Sequence, residues 1–227
     1  MSERKYAVAV DGPSGAGKST LAREAAKRLG ITYVDTGAIY RVIGVAAQRR
    51  GIDPKEEAAV NAMLPELEIG LKHGADGLQR MYLNGEDVTD AIRLPEISLY
   101  ASAVSALPPV RAFLLDRQRT LAREGSVFMD GRDIGTVVLP DAEVKIYLTA
   151  SDEVRAKRRC LELEQRGTPK PYDEVLAELR ERDYNDTHRA IAPLRQADDA
   201  VLLDTSELDF AGSCELLLKT IREKVGQ

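Results

Sequence analysis

Gly12-Pro13-Ser14-Gly15-Ala16-Gly17-Lys18-Ser19 is the stretch that decides how this chain folds. It satisfies every fixed position of the pattern G-x-x-x-x-G-K-[ST]. Its flanks fit as well. Tyr6-Ala7-Val8-Ala9-Val10 is an unbroken apolar run, as a strand buried on both faces requires. Leu21, Ala22, Ala25, Ala26 and Leu29 mark one face of a helix that Gly30 is placed to end. Strand, glycine loop and helix in this order let successive backbone N–H groups converge on phosphate oxygens, and the helix N-terminus adds partial positive charge. Gly12, Ser14, Gly15, Ala16, Gly17, Lys18, Ser19 and Thr20 are therefore the expected nucleotide contacts. Lys18 is expected to reach the β- and γ-phosphates, and Ser19 to ligate Mg²⁺.

Working outward, further apolar strand candidates lie at 32–34, 127–129, 144–148 and 200–203. Helical patterns fall between them, at 19–29, 38–50, 96–105, 109–123, 151–166, 173–188 and 207–224. Strands separated by helices predict an α/β fold, with a parallel sheet covered by helices on both faces. The region from about 60 to 95 breaks this rhythm. It holds Gly70, Gly74, Gly77 and Gly85, an alternating stretch Gln79-Arg80-Met81-Tyr82-Leu83, and the turn signal Asn84-Gly85. It reads as a small insert with strand content, either an element that covers a substrate or a surface elaboration. The apolar stripe Leu208, Cys214, Leu217, Leu218 and Ile221 is most simply the docking face of a last helix.

Composition bounds the function classes. The chain has 227 residues, 44% hydrophobic and 30% charged, which suits one folded domain of ordinary make-up. A formal net charge of -5 argues against bulk binding of a nucleic-acid polymer, while a small anionic substrate needs only a local basic cluster. No apolar run approaches the ~20 residues of a membrane span. Met1-Ser2-Glu3-Arg4-Lys5 runs straight into the first strand, which leaves no room for a signal peptide. Cys160 and Cys214 show no metal or redox spacing and read as free thiols, so a cytoplasmic location is expected. His73 and His188 have no partners at metal-ligand spacing and read as surface residues.

Four further clusters carry chemistry. Asp35-Thr36-Gly37-Ala38-Ile39-Tyr40-Arg41 follows the second strand, at the end where ligands collect in open α/β sheets. Arg41 is one helical turn beyond Gly37, so its guanidinium can return to that rim. Asp130-Gly131-Arg132-Asp133-Ile134-Gly135-Thr136 follows the strand Val127-Phe128-Met129. Arg132 there either meets a substrate or pairs with Asp130 or Asp133 to fix the loop. Arg155, Lys157, Arg158, Arg159, Arg166 and Lys170 form a basic run. Such runs are usually solvated faces, here with Glu153, Glu162 and Glu164 as partners, but phosphoryl transfer rewards cations that close over the moving group. Finally, the spacing of Arg182, Asp186 and Arg189 predicts one helix face, suited to a sugar hydroxyl plus a phosphate or to a plain salt-bridge ladder.

Together these segments resemble the bacterial cytidylate kinase family, with Val144-Lys145-Ile146-Tyr147, Glu181-Arg182-Asp183 and Ala192-Pro193-Leu194 as further matches in the family's order. The resemblance implies a P-loop three-layer fold, a single kinase domain over 1–227. Its core would comprise 1–59, 96–150 and 171–227, with a monophosphate-binding insert at about 60–95 and a helical lid at about 151–170. It implies phosphorylation of CMP and dCMP by ATP with Mg²⁺, in a protein expected to be a monomer with no nucleic-acid or membrane partner. Residue by residue, it implies that Arg41, Arg132 and Arg189 hold the monophosphate, and that Ser102, Arg111 and Asp133 read the cytosine. Arg182 and Asp186 would contact the sugar, Thr36 would supply a nucleoside hydroxyl contact, and Arg158 would stabilise the moving phosphoryl group. Pro109 and Tyr184 depart from the charged residues that some relatives carry. Two other readings stay open at this point. One is a P-loop kinase for another small acceptor, such as AMP or UMP. The other is a nucleotide-dependent switch, although the Asn-Lys-x-Asp guanine motif of such switches is missing from the sequence.

Overall fold

The computed structural model describes residues 5–226; residues 1–4 and 227, at the two ends of the expected core, lie outside the described residues. Five strands form the main sheet: β1 (Ala7–Asp11), β2 (Thr32–Asp35), β6 (Val127–Gly131), β7 (Val144–Thr149) and β8 (Val201–Asp204), in the order β2-β6-β1-β7-β8. β1 pairs in parallel with β6 and β7, and β7 with β8. Each crossover needs a helix, which is why short apolar runs alternate in sequence with apolar stripes of period 3.6.

The chain divides into two compact units, one formed by residues up to Tyr33 together with those from Ala122 onward, the other by Val34–Leu121. In the first unit, Val8 and Val10 pack with Phe128, Ile146 and Leu148 on one face of the sheet. They meet Leu21, Ala22 and Ala25 of α1 (Lys18–Leu29) and Cys214, Leu217, Leu218 and Ile221 of α8 (Phe210–Val225). Ala9 and Met129, which alternate onto the other face, are also fully buried. The sheet is therefore covered on both sides, and each large side chain removed from water contributes roughly 1.5–3 kcal/mol. A second helical pair, α6 (Asp152–Gln165) and α7 (Tyr172–His188), closes a small core of Ala156, Leu163, Val175 and Leu179.

In the second unit, α2 (Thr36–Arg49) is buried almost all round. It packs with α4 (Pro95–Ser105), α5 (Pro108–Glu124, its last turn past the unit's limit) and the short α3 (Glu57–Met63). Gly44 lets α2 and α4 approach closely, because a Cβ there would come within 3.0 Å of Tyr100 Cβ and 3.3 Å of the Ala101 nitrogen. The strands β3 (Ile69–His73), β4 (Gln79–Leu83) and β5 (Glu86–Asp87) form a separate antiparallel sheet. Asn84 and Gly85, at φ 51° and 83°, make the tight turn between its last two strands. Among the described residues no single helix is long and apolar enough to cross a membrane.

Gly12 joins the end of β1 to the glycine loop. Its φ is 149°, and a Cβ there would collide with the Leu148 carbonyl oxygen of neighbouring β7. Gly12→Ala should therefore destabilise the fold by at least the ~1–3 kcal/mol of a strained backbone residue, with the collision adding to it. Thermal melting of the variant checks this, and an unchanged Tm would contradict the close approach.

Candidate active site

The loop after β1 leads into α1. Gly17, in the left-handed region at φ 87°, sets the start of α1, and no side chain caps that helix. Its first-turn N–H groups are therefore available to an anion. Lys18 is the first helical residue. Its ammonium is buried and donates to the Pro13 carbonyl at 2.7 Å. Burial pulls its pKa well below the ordinary lysine value, Arg132 pushes in the same direction, and Asp130 opposes both. Ser19 Oγ donates to Asp130 Oδ2 at 2.7 Å, and Tyr33 donates its hydroxyl to Asp130 Oδ1 at 3.1 Å. A hydroxyl beside a carboxylate is the hard oxygen donor set that Mg²⁺ prefers.

The loop after β6 is tied to the end of β1. The Asp11 carboxylate accepts from the Ile134 and Gly135 amides, both at 2.7 Å. These amides open a single π turn, Ile134–Val138, whose first donors have no partner within the turn. Arg132 and Asp133 precede it directly. Arg132 turns to α7, where its Nε donates to Asp186 at 2.7 Å. Burial alone would raise the Asp186 carboxyl, but Arg132 and Arg182 outweigh it and hold it below the usual range.

Arg189 departs from the expected helix face. α7 stops at His188, and Arg189 is its extended C-cap at φ -63°, ψ 141°. The cause is Pro193, which lacks the N–H that would bond to the Arg189 carbonyl in a continued helix. Ala192 turns back at φ 48°, and its carbonyl accepts from Arg189 Nε at 2.6 Å. Arg189 Nη2 then reaches Asp133 Oδ1 at 3.3 Å, between two side chains that are each 6% exposed. Arg182 and Asp186 thus share a face of α7 by helical spacing, and Arg189 joins their neighbourhood through the turn.

The basic run divides into distinct fates. Arg159 and Arg166 pair with Glu162, and Lys170 with Glu174 and Glu178, as solvated helix faces do. Arg158 leaves that surface. It donates to the Thr205 carbonyl at 2.8 Å, and its Nη1 lies 3.5 Å from the Ala16 carbonyl of the glycine loop. Arg155 is buried, and its guanidinium turns to the Ser14 carbonyl and to Asp183.

The second unit holds the other expected contacts. Asp35 caps α2 by accepting from the Ala38 amide at 3.0 Å, which fixes buried Thr36 at the helix start. Arg41 returns to Gly37, its Nη1 3.6 Å from where a Cβ would stand. Arg111 is buried at the head of α5, donates to the Ser105 carbonyl at 3.2 Å and lies over the Tyr40 ring at 5.8 Å. Ser102 is partly buried on α4. His188 stacks on Tyr184 at the exposed end of α7, with ring centroids 4.0 Å apart.

Comparison with known proteins decides the family. The family model for cytidylate kinase matches residues 8–223. The chain is 48% identical to the cytidylate kinase of Geobacter sulfurreducens, over 97% of this chain and 94% of that one. It is 46% identical to that of Syntrophotalea carbinolica over the same shares, and 45% identical to that of Caldicellulosiruptor bescii over 98% and 100%. The chain belongs to the cytidylate kinase family. Its fold also resembles that of an uncharacterised Eubacterium ventriosum protein, with a TM-score of 0.56 at 12% identity, covering 97% of this chain and 99% of the other.

Membership of a kinase family implies use of ATP. Asp11, Asp130 and Asp183 also build the site, although the sequence pattern assigned none of them a contact of its own. Asp11 ends β1 and Asp130 directly follows the apolar residues of β6, and an acid in that position was the available signal. Burial pushes the Asp11 carboxyl from 3.8 up to about 6, against the pull of the Gly135 and Ile134 amides. Between these values the folded chain binds a proton that the unfolded chain does not. This contribution to stability is complete below ~4 and is lost as pH rises through about 6. It amounts to about 3 kcal/mol. Asp11→Asn removes it, so stability from denaturant titration should fall more steeply between pH 6 and pH 4 in the variant than in the native chain. Parallel pH profiles would show that Asp11 titrates normally.

Proposed function

We propose that this chain transfers the γ-phosphoryl group of ATP to the phosphate of CMP, and of dCMP, releasing ADP. The observation that carries the reading is a convergence of cations. Lys18 is repelled by both Arg132 and Arg182, although all belong to a largely buried space whose acids are Asp130 and Asp186. Holding like charges together without solvent is costly, and a polyphosphate entering that space relieves the repulsion. Two anionic groups suit the arrangement, because Lys18 belongs to the glycine loop while Arg132 follows β6 and Arg182 and Arg189 belong to α7 and its end.

Roles follow from chemistry. The loop from Gly12 to Thr20 binds the ATP phosphates through its amides, and the anion favours the charged form of Lys18 against the burial that opposes it. Ser19 and Asp130 would hold Mg²⁺, which supplies neutralisation of the phosphate oxygens when bound. Arg132 and Arg189, with Arg41, orient the acceptor phosphate; Arg182 and Asp186 bind its sugar, and Thr36 contacts the nucleoside. Asp133 can accept from the cytosine amino group, Arg111 can donate to its ring acceptors, and Ser102 can do either. Uracil turns an acceptor toward Asp133, which disfavours UMP. An acceptor oxygen forms the new P–O bond, the bond to the bridging oxygen breaks, and ADP leaves with that electron pair. The acceptor oxygen is already anionic at neutral pH, so no general base is assigned. Arg158, beside the glycine loop, stabilises the charge spread over the moving group. We assign residues 60–95 as the monophosphate-binding insert and 151–170 as the basic lid. The free thiols Cys160 and Cys214 suit a cytoplasmic setting.

ADP release with each monophosphate offered in turn tests the reading. CMP and dCMP should far outpace AMP, GMP and UMP, and equal rates with AMP would leave a kinase but remove the cytidylate assignment. Lys18→Ala should lower kcat by on the order of a hundredfold in a folded protein, because a cation is removed from developing charge. Near-native turnover would refute its role. Arg132→Ala should lower kcat/KM for CMP by roughly ten- to two-hundredfold, the worth of one charge-assisted contact. It should also lower the Tm, since Asp186 loses its 2.7 Å partner. A lower Tm with native CMP kinetics would mean that Arg132 only supports the loop.

A further inference from the structure

One ion pair encloses the backbone of Ser14. The Ser14 N–H donates to Asp183 Oδ1 at 3.0 Å, and the Ser14 carbonyl accepts from Arg155 Nη1 at 2.7 Å. The same Nη1 donates to Asp183 Oδ2 at 2.5 Å, which closes the ring. Arg155 comes from the first turn of α6 and Asp183 from α7, so two consecutive helices meet on one residue of a loop distant from both in sequence. Both other nitrogens of Arg155 are also engaged. Nε donates to the Ala150 carbonyl at 3.0 Å and Nη2 to Asp152 at 2.5 Å, while Asp152 accepts from Arg180 at 2.9 Å.

The consequence runs through a peptide plane. The Ser14 N–H and the Pro13 carbonyl belong to the same peptide unit, which is rigid. One end of that unit is held by Asp183, and the other end accepts from Lys18 Nζ at 2.7 Å. Fixing the N–H direction fixes the carbonyl direction, and with it the place where the buried ammonium rests. Stability alone is a poor explanation for this arrangement. A buried charge pair seldom stabilises a fold better than apolar residues of the same size would. Here both charged groups also direct hydrogen bonds at a single loop residue, while Arg159 and Arg166 of the same helix settle on a local glutamate.

We propose that Asp183 and Arg155 are positioning residues for the donor nucleotide, which set the Pro13–Ser14 peptide plane and through it Lys18. The proposal rests on the reading of the glycine loop as the ATP site. Calorimetric titration of the full chain with ATP alone, and separately with CMP alone, tests it together with melting temperatures. Asp183→Ala should weaken ATP binding roughly tenfold or more, the effect of losing one charge-assisted bond, and CMP binding by a much smaller factor. Asp183→Asn keeps an oxygen for the Ser14 N–H and should fall between that variant and the native chain. Arg155→Lys, which cannot span Ser14 and Asp183 together, should also weaken ATP binding selectively. Equal losses for ATP and CMP that follow the Tm would reduce the pair to a structural element and overturn the proposal. Native ATP affinity in Asp183→Ala would overturn it too. If that variant does not fold, native ATP affinity in both Asp183→Asn and Arg155→Lys does the same. A native chain that binds no ATP would instead remove the reading of the loop on which the proposal stands.

Discussion

The site depends on a buried carboxylate. Asp11 lies where β1 leaves the sheet, and its oxygens take the first two amides of the turn after β6. Without an acceptor there, two backbone donors would be buried unpaired, at about 1–3 kcal/mol each. Satisfying them costs the carboxylate its solvation, which is why its pKa climbs to about 6. What that cost secures is geometry. The glycine loop and the loop bearing Arg132 and Asp133 leave adjacent strands, and Asp11 holds the second at a set distance from the first.

A second constraint is electrostatic. Arg132 and Arg182 both repel Lys18, and Asp130 and Asp186 offset part of that repulsion. The folded chain thus keeps cations close together around Lys18, an arrangement that favours function over stability. Phosphoryl transfer asks for such an arrangement, because its catalysis is positioning plus stabilisation of charge already carried by the substrates. Each cation is held by a different kind of support: Lys18 by a loop carbonyl, Arg132 by a buried acid, Arg189 by a strained turn at Ala192.

The basic helix α6 shows why charge in a sequence has no single meaning. Arg155, Arg158 and Arg159 are near neighbours in the chain, yet one is buried against the glycine loop's backbone, one borders that loop, and one pairs with a glutamate in solvent. The difference is the direction each side chain takes from the helix, at about 100° per residue, and what other elements lie in that direction.

The sequence by itself determined the strands, the long helices and the phosphate-binding loop. Those features arise from local periodicity and from glycines whose backbone angles other residues avoid. Asn84-Gly85 was legible for the same reason. The short helix α3 was not, because seven residues are too few for an apolar stripe to stand out. Tertiary structure alone decided the partners. Arg132 meets Asp186 across 54 positions, Ser19 meets Asp130 across 111, and Ser14 meets Asp183 across 169. Helical spacing put Arg189 on a face with Arg182, and the chain instead ends the helix there because Pro193 cannot supply the next amide. Pairings of buried charges depend on which elements the packed core brings side by side, and no local pattern of residues encodes that distance.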